Sequence, residues 1–259
     1  PEERRARLAR PLTKECEGAY SFAFLKESFC DKLVEEAEHY QASGLPVRRP
    51  NSMNAYGLIL NEIGLEGTLD ALQRRALQPL AAMLFPTEGC RFDAHHSFLV
   101  HYELGADLGL DMHTDDSDVT FNTCLGKNFE GAGLSLCGVM GEDTDEGGGN
   151  RLRKLRHVYR HKKGRCLVHL GRHRHGADDI TSGERINLIV WNHNHLWRKS
   201  TPYRELSIPG ETEEPDPQCL SYTHDRDFSK YKTLKPEQKE FAKRAWYPPL
   251  PRRGRAARE

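Results

Sequence analysis

Between residues 92 and 197 the chain is a succession of short β-like runs: DAHHSFLVHYELG, LGLDMHT, DVTFNTCLG, GLSLCGVM, LRHVYRHK, RCLVHL and RINLIVW. Clusters of Gly, Asn and Asp separate them, and no run is long enough to be stable by itself. Short strands of this number and spacing predict a mainly β fold with flanking helices, built as a jelly-roll sandwich. The last run constrains the arrangement most. Side chains alternate along a strand, so Arg185, Asn187, Ile189 and Trp191 share one face, while Ile186, Leu188 and Val190 share the other. Both faces are largely apolar, which predicts a strand buried inside the sandwich with Arg185 and Asn187 lining a pocket at its start. A planar guanidinium in such a place can hold a carboxylate bidentately and stays charged where a lysine would lose its proton. Arg185 therefore needs an anion, either a ligand or a local Asp or Glu.

The second signal is His113-Thr-Asp115. On an extended segment residues i and i+2 point to the same side, so His113 and Asp115 can act together and a third ligand must come from another strand. His175, ten positions before Arg185, is the candidate, with Gly183 two before the arginine. Two imidazoles and one carboxylate on one side of a metal leave the opposite positions open, as in non-haem Fe(II) oxygenases. Taken alone the His-X-Asp pair is weak in a chain with 13 histidines and 38 acidic residues, and a solvated turn in DMHTDDSD competes with it. His169 and His173 compete with His175, while His95, His96, His193 and His195 read as ordinary surface or core histidines. Zinc is the metal alternative, yet no cysteine has the spacing that would close a four-ligand structural site.

His113, Asp115, His175 and Arg185, with the stretch HGADDITSGERINLIVW, resemble the double-stranded β-helix Fe(II)/2-oxoglutarate dioxygenases, within them the prolyl 4-hydroxylase and lysyl hydroxylase branch. RPNSMNAYGLILNEIGL and FLVHYELGADLGLDMHTDDSDVTFNTCLG extend the likeness over residues 20–197, toward the 2-oxoglutarate and iron-dependent oxygenase domain-containing protein 2 group. The resemblance implies that His113, Asp115 and His175 bind Fe(II), that Arg185 pairs with the far carboxylate of 2-oxoglutarate, and that these four are the catalytic set. The ten-residue interval to Arg185 favours His175 over His173. Tyr102 lies where the family places an aromatic near the cosubstrate, with a packed core tyrosine as the alternative. Asn122, Asn187 and Thr120 rank behind it for the same pocket. The implied reaction consumes O2 and 2-oxoglutarate, releases succinate and CO2, and uses ascorbate as an accessory reductant. The carboxylate of Asp115 favours hydroxylation, or demethylation by hydroxylation, over halogenation. By analogy with the branch the substrate is a protein or peptide side chain of prolyl or lysyl type.

Length and composition set the frame. The 259 residues divide into an N-terminal strand and helices (1–91), the oxygenase core (92–197) and a C-terminal extension with a short helix and tail (198–259). Residues 66–85 read as the clearest helix, interrupted near Pro79, and Phe29, Leu33, Ala37 and Tyr40 mark the buried stripe of an earlier one. Formal charge balances at 38 basic and 38 acidic residues, so the molecule carries no overall bias toward nucleic acid or anionic membranes. The exception is residues 151–165, with eight Lys or Arg and no acid, which supports a nucleic-acid oxygenase or demethylase as the alternative to a solvated edge. A non-enzymatic metal-binding interaction module is the third reading. No apolar run approaches a membrane span, and no membrane partner is expected. The seven cysteines form no CxxC pair and read as reduced thiols of a cytoplasmic or nuclear protein. The first residue is Pro, which leaves an upstream targeting segment open.

Overall fold

The structure is a computed structural model that describes residues 12–141, 154–204 and 216–219. The charged leader, the glycine-rich loop after Gly141, and the helix and tail expected after residue 219 lie outside the described residues.

Two antiparallel sheets face each other. The strands of the larger sheet are β1 (Thr13–Cys16), β2 (Ala19–Ala23), β3 (Gly57–Ile59), β4 (Ala94–Glu103), β6 (Val119–Gly126), β10 (Arg165–Leu170) and β12 (Ile180–His193), in the order β1-β2-β10-β6-β12-β4-β3. A short β7 (Phe129–Gly131) pairs with the beginning of β12. The smaller sheet runs β5-β11-β8-β9, from β5 (Leu110–His113), β11 (His173–Ala177), β8 (Leu134–Val139) and β9 (His157–Tyr159). This is the expected jelly roll. The first ninety residues do not stand apart from it: β2 pairs with β10 at one side of the larger sheet and β3 with β4 at the other.

The alternation read from residues 185–191 sets the layers. Ile189 packs with Phe98, Val100, Leu134, Leu136 and Leu167 between the sheets. On the reverse face Ile186, Leu188 and Val190 pack with Leu99, Phe121 and Leu125 against α1 (Glu27–Ala42), α2 (Glu66–Leu72) and α3 (Gln78–Leu84). Each such side chain removed from water contributes about 1.5–3 kcal/mol, so both faces of β12 are held by burial. The long helix expected at residues 66–85 is three pieces. Pro79 has no N–H to offer a carbonyl four residues back, and residues Gln73–Leu77 widen into a π turn in which Gln78 N–H donates to Gln73 O. In α1 the buried stripe is Cys30, Leu33, Val34 and Ala37, one step round from the expected set, and Phe29 is 48% exposed.

Two glycines make the turns that place the site. Gly183 has φ 73°, and a Cβ there would fall 2.0 Å from Asn128 O, at the point where β12 leaves β7 for β4 and β6. Gly171 lets the β10–β11 turn approach the backbone of Ser117, whose carbonyl would sit 1.8 Å from an added Cβ.

The cysteine reading needs correction. Cys137 on β8 and Cys219 form a disulfide, with Cα atoms 5.7 Å apart across a sequence separation of 82. Linear spacing cannot reveal a pair that distant, because only the fold brings it together. Cys16, Cys30, Cys90, Cys124 and Cys166 are free thiols. The bridge ties residues 216–219 to the smaller sheet, where Leu155 N–H also donates to Asp216 Oδ2 at 2.8 Å. Removing it should lower stability by about 2–4 kcal/mol, since the reduced unfolded chain regains a long loop. Thermal unfolding of Cys137→Ser against the parent, with and without reductant, checks this; a parent melting curve indifferent to reductant would contradict it.

Candidate metal and cosubstrate site

The smaller sheet assembles the first part of the site. β11 runs antiparallel to β5 in a register that sets His175 opposite His113, and their rings lie 4.4 Å apart. Each ring is oriented by its own backbone: His113 Nδ1 bonds Asp111 O at 2.7 Å, and His175 Nδ1 bonds His173 O at 2.8 Å. A carbonyl only accepts, so both Nδ1 atoms carry the proton and both Nε2 atoms present lone pairs. Asp115 lies just beyond the end of β5 rather than on the strand as the sequence implied. Its N–H donates to Gly171 O at 2.8 Å, and Thr120 Oγ1 on β6 donates to its Oδ2 at 2.6 Å. The other oxygen, Oδ1, is 3.5 Å from each Nε2.

The three donors lie within 4.8 Å of one another, two of them nitrogen lone pairs and one a carboxylate oxygen. That set fits Fe(II), and the remaining side chains in the cavity leave its other positions open. The electrostatics agree with it. Burial, together with neighbouring His113, pushes His175 down to about 3 despite Asp115. Burial works against ionisation of Asp115, but the imidazoles of His175, His113 and His169 around it outweigh burial and hold the carboxyl well below its usual range. Neutral imidazoles beside an ionised carboxylate are the protonation state a cation needs.

The larger sheet supplies the second part. His113, Asp115, His175, Arg185, Tyr102, Asn122, Asn187 and Thr120 all line one cavity between the sheets. Arg185 is 1% exposed and makes no ion pair with a described residue. Its Nη1 donates to Ala132 O, and its guanidinium carbon sits 4.6 Å over the Tyr102 ring. The local Asp or Glu that competed as its partner is absent among the described residues. Burial pulls the Arg185 pKa down from its usual value, although a guanidinium keeps its charge even so. No carboxylate among the described residues pairs with that charge, which suits this end of the cavity to an anion.

Residues 2–90 match the family model described as the OGFOD2-like domain. The 2-oxoglutarate and iron-dependent oxygenase domain-containing protein 2 of Homo sapiens is 42% identical over 190 residues, covering 73% of this chain and 51% of its own length. The chain belongs to the 2-oxoglutarate- and iron-dependent oxygenases. The related domain-containing protein ICU11 of Arabidopsis thaliana is 36% identical over 197 residues, covering 72% of this chain and 48% of that protein. This oxygenase chain thus spans about half the length of the curated relatives it matches. A prolyl hydroxylase of Trichoplax adhaerens, solved with a hypoxia inducible factor peptide fragment, superposes with TM-score 0.51 at 16% identity, covering 77% of this chain and 96% of that one. That likeness bears on fold alone.

Three features of the oxygenase site were not legible in the sequence. Asn54 donates from Nδ2 to Tyr102 OH at 3.1 Å, while Asn51 makes a turn by accepting from Met53 and Asn54 N–H. Thr120, ranked for the cosubstrate pocket, instead bonds the metal carboxylate. His161, buried between β9 and β10, faces Asn187. Asn54–Tyr102 and His161–Asn187 join residues 48 and 26 apart, whereas Thr120 and Asp115 are five apart and meet across the connection leading into β6. His169 and His173 are fully buried near the triad but outside the donor set, and His96 bonds Pro50 O at 2.8 Å. A second His and carboxylate group, His101, Glu103 and Glu184, lies at partly exposed positions, where the Lys127 ammonium already bonds Glu184 at 3.0 Å.

Substitutions separate the two halves of the cavity. Asp115→Ala should lower Mn(II) affinity at least a hundredfold in a protein that still folds, whereas Thr120→Val should lower it about tenfold by releasing the carboxylate. Arg185→Ala should weaken 2-oxoglutarate by about two to three orders of magnitude, and Arg185→Lys should recover only part of that. Calorimetric titration of each folded variant reads both; an unaltered cosubstrate affinity in Arg185→Ala would assign the anion to another residue.

Proposed function

We propose that this chain is an Fe(II)- and 2-oxoglutarate-dependent dioxygenase domain that hydroxylates a protein side chain of prolyl or lysyl type. The observation that carries the reading is one cavity holding both a cation-ready triad and an uncompensated buried guanidinium. His113, Asp115 and His175 would hold the iron, and Arg185 the far carboxylate of 2-oxoglutarate over the Tyr102 ring. Iron bound there, with 2-oxoglutarate and O2, supplies oxidation of a C–H bond to an alcohol, coupled to release of succinate and CO2. The protein's part is orientation and dryness. The Nδ1 bonds fix both imidazoles, Thr120 fixes the carboxylate, and Phe98, Val100, Leu134 and Ile189 keep bulk water from the cavity. Ascorbate as accessory reductant belongs to the same proposal.

A second cavity, of about 520 Å³, shares Asp115 with the first and is lined by Thr114, Asp116, Trp197, Tyr203 and Arg204. It would give a polypeptide side chain room beside Asp115. The peptide bound by the Trichoplax adhaerens hydroxylase is in keeping with a protein substrate. The basic run offers less to nucleic acid than its composition implied. Of its described part, Lys163 pairs with Asp31, His157 lies 3.1 Å from Glu15, and Arg165 donates to Ser21 Oγ at 2.8 Å. β9 forms the edge of the smaller sheet, where charge discourages strand-to-strand association. A cytoplasmic or nuclear location belongs to the same proposal; it is drawn from reduced cysteines, against which the Cys137–Cys219 bridge counts.

Incubation of the purified domain with Fe(II), 2-oxoglutarate and prolyl or lysyl peptide libraries should give succinate release that rises with peptide and stops in Asp115→Ala. Absence of any 2-oxoglutarate-dependent succinate from the metal-loaded domain would favour the binding-module reading. Tight, salt-sensitive binding to single- or double-stranded nucleic acid at physiological ionic strength would favour the nucleic-acid alternative.

A further inference from the structure

Among the buried histidines outside the metal triad, His161 stands beside Asn187 and Arg185. His161 is 8% exposed and sits in the turn between β9 and β10. Its Nδ1 lies 3.3 Å from Asn187 Nδ2, which also donates to Asn122 Oδ1 at 2.5 Å. An amide nitrogen only donates, so both of its hydrogens are committed and the Nδ1 it faces must be unprotonated. The neutral ring therefore carries its proton on Nε2. That Nε2–H is buried with no partner among the described residues, as are Arg185 Nε and Asn187 Oδ1 on β12. Burial and the charge of Arg185 both keep the ring neutral.

A histidine retained only for packing would have both nitrogens bonded, or would be replaced by an apolar side chain with no polar group to leave unsatisfied. Here the unpartnered groups gather at Arg185 and Asn187, at the anion end of the cavity. We propose that His161 is a positioning residue of the cosubstrate pocket, clamping the Asn187 carboxamide against Asn122 so that the wall beside Arg185 is preset for the far carboxylate of a 2-oxo dicarboxylic acid. This rests on the reading that Arg185 receives 2-oxoglutarate. His161 acts through Asn187, and its spare Nε2–H adds a donor to a region that is already cationic. It lies on a different segment from His113, Asp115 and His175, so metal affinity is independent of it.

The test compares His161→Leu, which removes the clamp, with His161→Gln, which restores a polar group of similar reach. Titration of 2-oxoglutarate into Mn(II)-loaded protein without O2 should show binding weakened about tenfold to a hundredfold in His161→Leu, with most of it recovered in His161→Gln. KM for 2-oxoglutarate should rise in parallel, while kcat at saturation and Mn(II) affinity stay near the parent values. Should His161→Leu fail to fold, imidazole nitrogen resonances of the parent loaded with Zn(II) replace it. They should show a neutral ring protonated at Nε2, with the His161 signals shifting when 2-oxoglutarate is added. Equal 2-oxoglutarate affinity in parent and folded His161→Leu, equal loss in both variants, or His161 resonances indifferent to 2-oxoglutarate would overturn the proposal. A parent protein that binds Mn(II) but not 2-oxoglutarate would instead overturn the assignment of the Arg185 pocket on which it rests.

Discussion

The pairing of β11 with β5 is the contact on which the metal site depends. It joins residues that are distant in sequence and sets His175 across from His113. A slip of one residue would turn His175 to the opposite side of its strand and leave His113 and Asp115 without a third donor. The register is held from both sides. β8 pairs along the other edge of β11, and the Gly171 turn fixes where β11 begins while its carbonyl anchors the Asp115 N–H. The turn that starts the strand thus also positions a metal ligand, so the geometry of the triad and the topology of the smaller sheet cannot be varied separately.

Arg185 imposes a different kind of constraint. A guanidinium removed from water without a counter-charge opposes folding, and only a ring face and one carbonyl offset it. The fold can carry this because β12 is held over its length by β7, β4 and β6 and by apolar layers on both faces. The same charge suits this end of the cavity to an anion, which would meet a buried cation there, whereas a neutral molecule would gain little.

The surface charges and the sulfur chemistry follow the fold rather than the composition. In the described part of the basic run Lys163 pairs with Asp31 and Arg165 with Ser21, whereas Arg156, Arg160 and Lys162 are exposed, and β9 closes the edge of a sheet. Seven cysteines without a recognisable pairing pattern nonetheless yield one bridge, because β8 and residues 216–219 come together.

What the sequence determined by itself is what local periodicity encodes. A strand alternates whatever it pairs with, so the division of residues 185–191 into a pocket face and a helix-covered face was readable, whereas Asp115 lies beyond the end of β5 and is held toward His113 by its bonds to Gly171 and Thr120. The jelly roll was readable too, from the number and spacing of its runs. Even local patterns left room for error: in α1 a rotation of one residue moved Phe29 out of the buried stripe, because several apolar positions compete for the same face. Only the tertiary structure decided which faces meet. It turned Thr120 toward Asp115, brought Asn54 to Tyr102 and His161 to Asn187, joined Cys137 to Cys219, and left Arg185 without an ion partner among the described residues. Asn54–Tyr102, His161–Asn187 and Cys137–Cys219 are contacts between segments whose separation along the chain carries no signal, because it is set by sheet register and strand order rather than by any repeat in the sequence.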